Sequence, residues 1–155
     1  MEIEILAHGN TSQSRIDLIT KASKFYADHL NLNRFKYKVF ICTAPNLRKN
    51  DGNNGIASHT GPNEVTIAVD SKLNISRLLF TLAHEMVHAK QYMCGHYRAE
   101  PSRNGKHKRF WLGKQYSVEY LKRPWEREAF RRENELVIAL FEYVAQKAKK
   151  QKSRT

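Results

Sequence analysis

Cysteine is scarce in this chain of 155 residues, which has only Cys42 and Cys94 and no Cys-x-x-Cys spacing. A disulfide scaffold and a zinc ribbon are therefore excluded, and both residues read as free thiols. Long apolar runs are also missing, since nothing approaches the roughly 20 residues that a membrane-spanning helix requires. The opening MEIEILAHGN has no basic, apolar and small-residue succession of the kind a signal peptide carries. A soluble, cytoplasmic protein is expected, with no membrane partner. Acidic residues are few as well: 15 Asp plus Glu stand against 27 Lys plus Arg, for a formal charge of +12. What the chain does have is 41% hydrophobic residues, and a chain of this length buries roughly two thirds of its unfolded surface. Wholesale disorder is thus excluded and one domain is expected.

The excess charge is concentrated. Between residues 98 and 114, Arg98, Arg103, Lys106, Lys108, Arg109 and Lys114 face the single acid Glu100. Between residues 147 and 155, Lys147, Lys149, Lys150, Lys152 and Arg154 face none. These two segments hold ten of the twelve net charges, and such clusters attract polyanions because each neutralised phosphate releases counterions. Nucleic acid is therefore a candidate partner through 98–114 and 147–155. The chain divides into a domain over 1–146 and a basic tail over 147–155.

Periodicity supplies the elements. Residues 2–7 read as a first strand, and Ser12 or Ser14 caps a helix in which Ile16, Ile19, Ala22, Phe25, Tyr26 and Leu30 share a face. Residues 35–43 alternate and are rich in branched and aromatic side chains, so they read as a strand, followed by a polar loop over 46–54. Strands at 56–60 and 64–69 flank the turn Gly61-Pro62-Asn63. Over 73–94 the set Ile75, Leu78, Leu79, Leu82, Met86 and Met93 follows a helical period, with Gly95 placed to cap its end. Residues 95–123 show no regular pattern. Pro124 then opens a last helix running to about residue 148.

The 73–94 helix contains His84-Glu85-Met86-Val87-His88, the HExxH pattern. Four residues advance a helix by about 400°, so the two imidazoles leave one side a turn apart, as two ligands of one tetrahedral zinc must. Glu85 points about 100° away, within reach of a metal-bound water but not of the metal. An open catalytic site needs a third protein ligand. The downstream candidates are His96, His107, Glu126 and Glu128. Glu126 shares its helical face with Ala129, Phe130, Glu133, Val137, Leu140 and Val144, whereas Glu128 shares its face with Arg131, Arg132, Glu135 and Glu142. A carboxylate on an inward face is costly unless a cation or metal pairs with it, which favours Glu126, with His107 as runner-up.

The HExxH segment 81–92, followed by Trp111, Gly113-Lys114-x-Tyr116 and Pro124-Trp125-Glu126-Arg127-Glu128-Ala129, resembles a group of small, mostly phage-encoded metallopeptidases with a zincin core. The resemblance implies an α+β zincin-like domain: an N-terminal helix on a small, mostly antiparallel sheet, the HExxH helix, and a C-terminal helix. It implies Zn2+ held by His84, His88 and Glu126, and residence in a host cytoplasm or association with a virion. Such families often carry Asp where this chain has Phe130, and Glu133 is the candidate to replace that carboxylate. A second resemblance is to SprT-like proteases, whose third ligand is a histidine. Residues 105–110 share part of their His-Gly-x-x-Phe element, without its glycine in register.

The expected function is zinc-dependent peptide hydrolysis with Glu85 as general base. By the zincin resemblance the substrate adds as a strand along 64–69, and Tyr116, Tyr120 or His107 serves as donor to the oxyanion. Two rivals stand beside it. One is a nucleic-acid-binding or virion-associated protein that keeps the fold without cleaving. The other is a closed structural zinc site with His96 or Cys94 as fourth ligand. Glu85 speaks against the latter, because a closed site has no use for a carboxylate beside its ligands.

Overall fold

Two strands in which every second side chain is branched and apolar form the centre of the protein. In the computed structural model, which describes residues 1–153, β2 (Lys38–Ala44) and β4 (Glu64–Asp70) lie side by side. Val39, Ile41, Val65, Ile67 and Val69 are buried on one face. β1 (Glu2–Leu6) pairs with β2, and β3 (Gly55–Gly61) pairs with β4, giving the order β1-β2-β4-β3. The β1–β2 and β2–β4 pairings are parallel, and only β3–β4 is antiparallel. The sheet is therefore mixed rather than mostly antiparallel. The reason lies in the connections: β1 returns to β2 through α1 (Gln13–His29), and a helical crossover joins parallel strands. The β3–β4 hairpin is where the sequence places it.

Helices cover the buried face of this sheet. α3 (Ile75–Met93) lies on β3 and β4, α1 packs on β1 and α3, and α4 (Pro124–Lys152) runs along α3. Leu78, Leu82, Ala83, Met86 and Val87 of α3 are buried between these layers. Asn74 caps α3 by accepting from the Arg77 amide at 2.9 Å. At its other end Gly95 takes φ +68°, so that its amide reaches the Tyr92 carbonyl at 3.0 Å and that of His96 reaches Gln91 at 2.9 Å. A left-handed residue is needed there, and glycine adopts it without strain. No described helix is long and apolar enough to cross a membrane. Leu82 is fully buried, so Leu82→Ala is expected to cost about 2–5 kcal/mol, read as a lower urea midpoint.

Three segments differ from expectation. Residues 95–123 form a second, antiparallel sheet of β5 (Tyr97–Pro101), β6 (His107–Trp111) and β7 (Lys114–Tyr116), then a 3-10 turn at Tyr120–Lys122. Its strands are short and charged, so no alternation announces them; the β6–β7 hairpin closes through Leu112 and Gly113, both at positive φ. Within the predicted 46–54 loop, Leu47–Asp51 forms a helical turn, α2, whose Arg48 amide donates to buried Asp70 at 2.8 Å. At the C-terminus, α4 runs past the expected end near residue 148 and continues through Lys149 and Lys150 to Lys152. Lysine is a good helix former and is favoured in a last turn. Arg154 and Thr155 lie outside the described residues.

Candidate metal centre

α3 presents His84 and His88 from successive turns, and the first turn of α4 brings Glu126 against them. The two Nε2 atoms stand 3.0 Å apart, and Glu126 Oε2 lies 3.2 Å from His84 Nε2 and 3.3 Å from His88 Nε2. Each imidazole is held from behind. His84 Nδ1 donates to Glu133 Oε2 at 2.7 Å, and His88 Nδ1 donates to Gln91 Oε1 at 2.8 Å. The orientation of the Gln91 amide is fixed by its nitrogen, which donates to the Trp125 carbonyl at 3.0 Å and to Glu128 Oε2 at 2.8 Å. Its oxygen is left to accept from His88. With Nδ1 as the donor on both rings, both Nε2 lone pairs face the carboxylate oxygen.

Three acceptors converging in this way require a positive charge between them. Burial by itself would lower the pKa of His84, but the carboxylates of Glu126 and Glu133 outweigh it and raise the value to about 9. Burial would likewise raise that of Glu126, yet the two imidazoles and the Tyr120 hydroxyl gathered on its carboxylate hold it well below the usual carboxylate range. A metal displaces the proton from such a site. For ligand bonds of about 2.0–2.1 Å, tetrahedral geometry separates ligand atoms by about 3.3 Å, close to the spacings found. His84, His88 and Glu126 thus form a buried group that could hold a metal ion. Glu133→Gln and Gln91→Leu are each expected to weaken metal binding about 10–100-fold, as measured by competition with a chelating dye.

Glu85 sits beside the triad, 5% exposed, with its carboxyl pKa pushed up by burial. One oxygen, Oε2, is fully buried without a hydrogen-bond partner among the described residues, while the Ala57 amide of β3 donates to the carboxylate. β3 can come this close because its inward positions are small. A Cβ on Gly55 would meet Thr81 Cγ2 at 2.6 Å and Glu85 Cγ at 3.0 Å. Gly55→Ala is therefore expected to push β3 off α3 and to cost about 1–3 kcal/mol, seen as a lower melting temperature. β3 is also the edge strand at the site. The 64–69 strand, expected in that role, is β4 and is paired on both sides, because the hairpin folds β3 outward and leaves β4 inside.

The other sequence candidates separate. Tyr120 lines the clefts around His84 and Glu85, and its hydroxyl donates to Glu126; burial and that carboxylate raise its pKa. Tyr116 and His107 belong to the second sheet and line a different cleft with Arg123. His96 is exposed and packs edge-on against Trp111, while Cys94 is half-buried at the end of α3; neither joins the triad. Glu128 does not face solvent as its helical position suggests, but is half-buried and accepts from Gln91, because α3 flanks this turn of α4. Phe130 meets His84 edge-on, with ring centroids 4.7 Å apart. Gln91 and the Ala57 amide escaped the sequence; only the three-residue spacing from His88 to Gln91 hints at the former.

Comparison with known proteins returns no match among family models, curated sequences or solved structures.

Proposed function

We propose that this protein is a zinc-dependent metallopeptidase on a zincin-like fold. The observation that carries this is the partnerless oxygen of Glu85, buried beside three convergent metal-ligand atoms. A buried carboxylate with an unmet oxygen is destabilising, and groups kept at such a cost cluster where chemistry is done. Two imidazoles and one carboxylate form a ligand set that suits zinc and leaves a fourth position open. Bound there, zinc supplies Lewis acidity to a scissile carbonyl and acidifies the attacking water.

The chain's own residues supply the remainder. Glu85 takes the proton of the attacking water and passes it to the leaving amine, a role suited to a carboxyl whose pKa burial raises. Tyr120, on the rim of the cleft, offers its hydroxyl to the developing oxyanion. Glu133 and Gln91 hold the two imidazoles in the ligand tautomer. The outer edge of β3, on either side of the Ala57 groups that meet Glu85 and Tyr92, receives the substrate as an added strand. Two free cysteines suit a reducing compartment such as a cytoplasm.

The test is elemental analysis of protein purified without added metal, followed by hydrolysis of casein. About one zinc per chain, with cleavage abolished by a chelator and restored by zinc, is expected. Protein that holds no metal and takes up none on zinc addition overturns the proposal.

A further inference from the structure

A second cleft, of about 600 Å3, shares Trp125 with the wall of the metal centre but none of the three ligands. It opens where the second sheet is incomplete. β7 pairs with β6 only opposite residues Arg109 to Trp111, so His107 and Lys108 have a free strand edge on that side. Side chains from both faces of β6 therefore reach the same opening. Lys106, Lys108 and Arg109 line it from the sheet and Arg123 from the start of α4, and no Asp or Glu lies among the lining residues.

None of these four cations has an ion pair among the described residues. Among the described residues the nearby carboxylates are already taken, Glu100 by Arg98 at 3.1 Å and Glu119 by Lys122 at 3.1 Å. Arg109 bonds the Tyr97 hydroxyl, and Arg123 lies over the Tyr120 ring, which orients both guanidinium groups without neutralising them. Four like charges in one concavity repel one another and focus a positive potential on whatever enters. Ser102, Asn104, Gln115 and Ser117 add neutral donors of the kind that bond phosphate oxygens.

We propose that this cleft binds the sugar–phosphate backbone of nucleic acid. This goes beyond the peptidase proposal and stands without a metal. A repeating polyanion is favoured over a single small anion because the surplus continues past the cleft, onto Arg103 and Lys114 of the same sheet region. Trp125 is buried and Tyr116 half-buried, so the cleft offers cations and neutral donors to phosphates before anything to bases, and binding through it is indifferent to sequence. The two basic segments of the sequence are also distinct in space. Lys147 to Lys152 close the far end of α4, about 40 Å along the helix from Arg123.

The experiment is fluorescence anisotropy of a labelled mixed-sequence oligonucleotide of about 20 nucleotides, single-stranded and as a duplex, with the full chain at about 50 and about 200 mM salt. Lys106→Gln/Lys108→Gln, at two exposed positions without ion pairs among the described residues, is compared with the charge-matched Lys21→Gln/Lys24→Gln on α1. Circular dichroism establishes that both variants fold. The cleft pair is expected to bind about tenfold more weakly at low salt and to reduce the slope of log affinity against log salt by about 2. The α1 pair is expected to change either by less than about twofold. Equal losses in both pairs, or no binding at low salt, overturn the proposal. So does displacement of the oligonucleotide by polyglutamate at equal charge, which would identify an acidic protein as the ligand.

Discussion

Glu85→Gln is expected to lower peptide hydrolysis about 10²–10⁴-fold while leaving metal content at the wild-type level. Glutamine keeps the shape of the side chain and the acceptor that meets the Ala57 amide, but it cannot take a proton. Glu85 is not among the three convergent ligand atoms, so the metal has no reason to leave. The loss should fall on kcat rather than on KM, because proton transfer belongs to the transition state. Stability should rise or stay level, since a buried carboxylate with an unmet oxygen is exchanged for a neutral amide. Casein hydrolysis, elemental analysis and thermal denaturation on one preparation check all three. A variant that retains wild-type activity would remove Glu85 from the chemistry.

Glu126→Ala is expected to lose the metal almost completely, whereas His107→Ala retains it. Glu126 Oε2 closes a triangle with the two Nε2 atoms at 3.2 and 3.3 Å, and His107 lines another cleft. Two imidazoles on one helix are a weak, open pair without the carboxylate that neutralises part of the metal's charge. Thermal stability gives a second readout. A ligand present at 1,000 times its dissociation constant stabilises the native state by about 4 kcal/mol, so added zinc should raise the melting temperature of wild type and leave Glu126→Ala unmoved. Metal lost in His107→Ala and kept in Glu126→Ala would reverse the assignment and favour the SprT-like resemblance.

How far the site was legible depended on whether the information was local. The HExxH spacing places two imidazoles on one side of a helix because helical geometry is fixed by the backbone. The burial of Glu126 followed from its companions Ala129 and Val137 on the same helical face, both buried in the fold. The same reasoning fails two residues on. A face shared with Arg131, Arg132 and Glu135 predicts that Glu128 points outward, yet α3 covers the start of that face and gives Glu128 a partner in Gln91. Periodicity describes one helix in isolation and carries no record of what packs beside it.

Strands were less legible than helices for a related reason. β2 and β4 announce themselves by alternation, and their burial follows it except at the end of β4, where Asp70 is buried beside Val69. Their order and direction do not appear in any window of sequence, because pairing joins residues far apart along the chain. The second sheet leaves no periodic signal in the sequence: β5 and β6 expose Arg98, His107 and Lys108, so neither strand has a clean apolar face. Its role in packing rests on single aromatics, with Tyr97 against Tyr92 and Trp125.

The amino-acid sequence by itself determined the three main helices, the β3–β4 hairpin, the Gly95 cap and the pair of histidines, since each follows from backbone geometry within about 20 residues. It also determined the surplus of positive charge. The tertiary structure alone decided that β3 is the edge beside the site, that Gly55 must lack a side chain, and that Tyr120 rather than Tyr116 stands at the triad. It alone gathered four cations into one cleft that no Asp or Glu lines among the described residues. Each of these depends on which distant segments meet, and that is settled by how the buried faces of separate elements pack together.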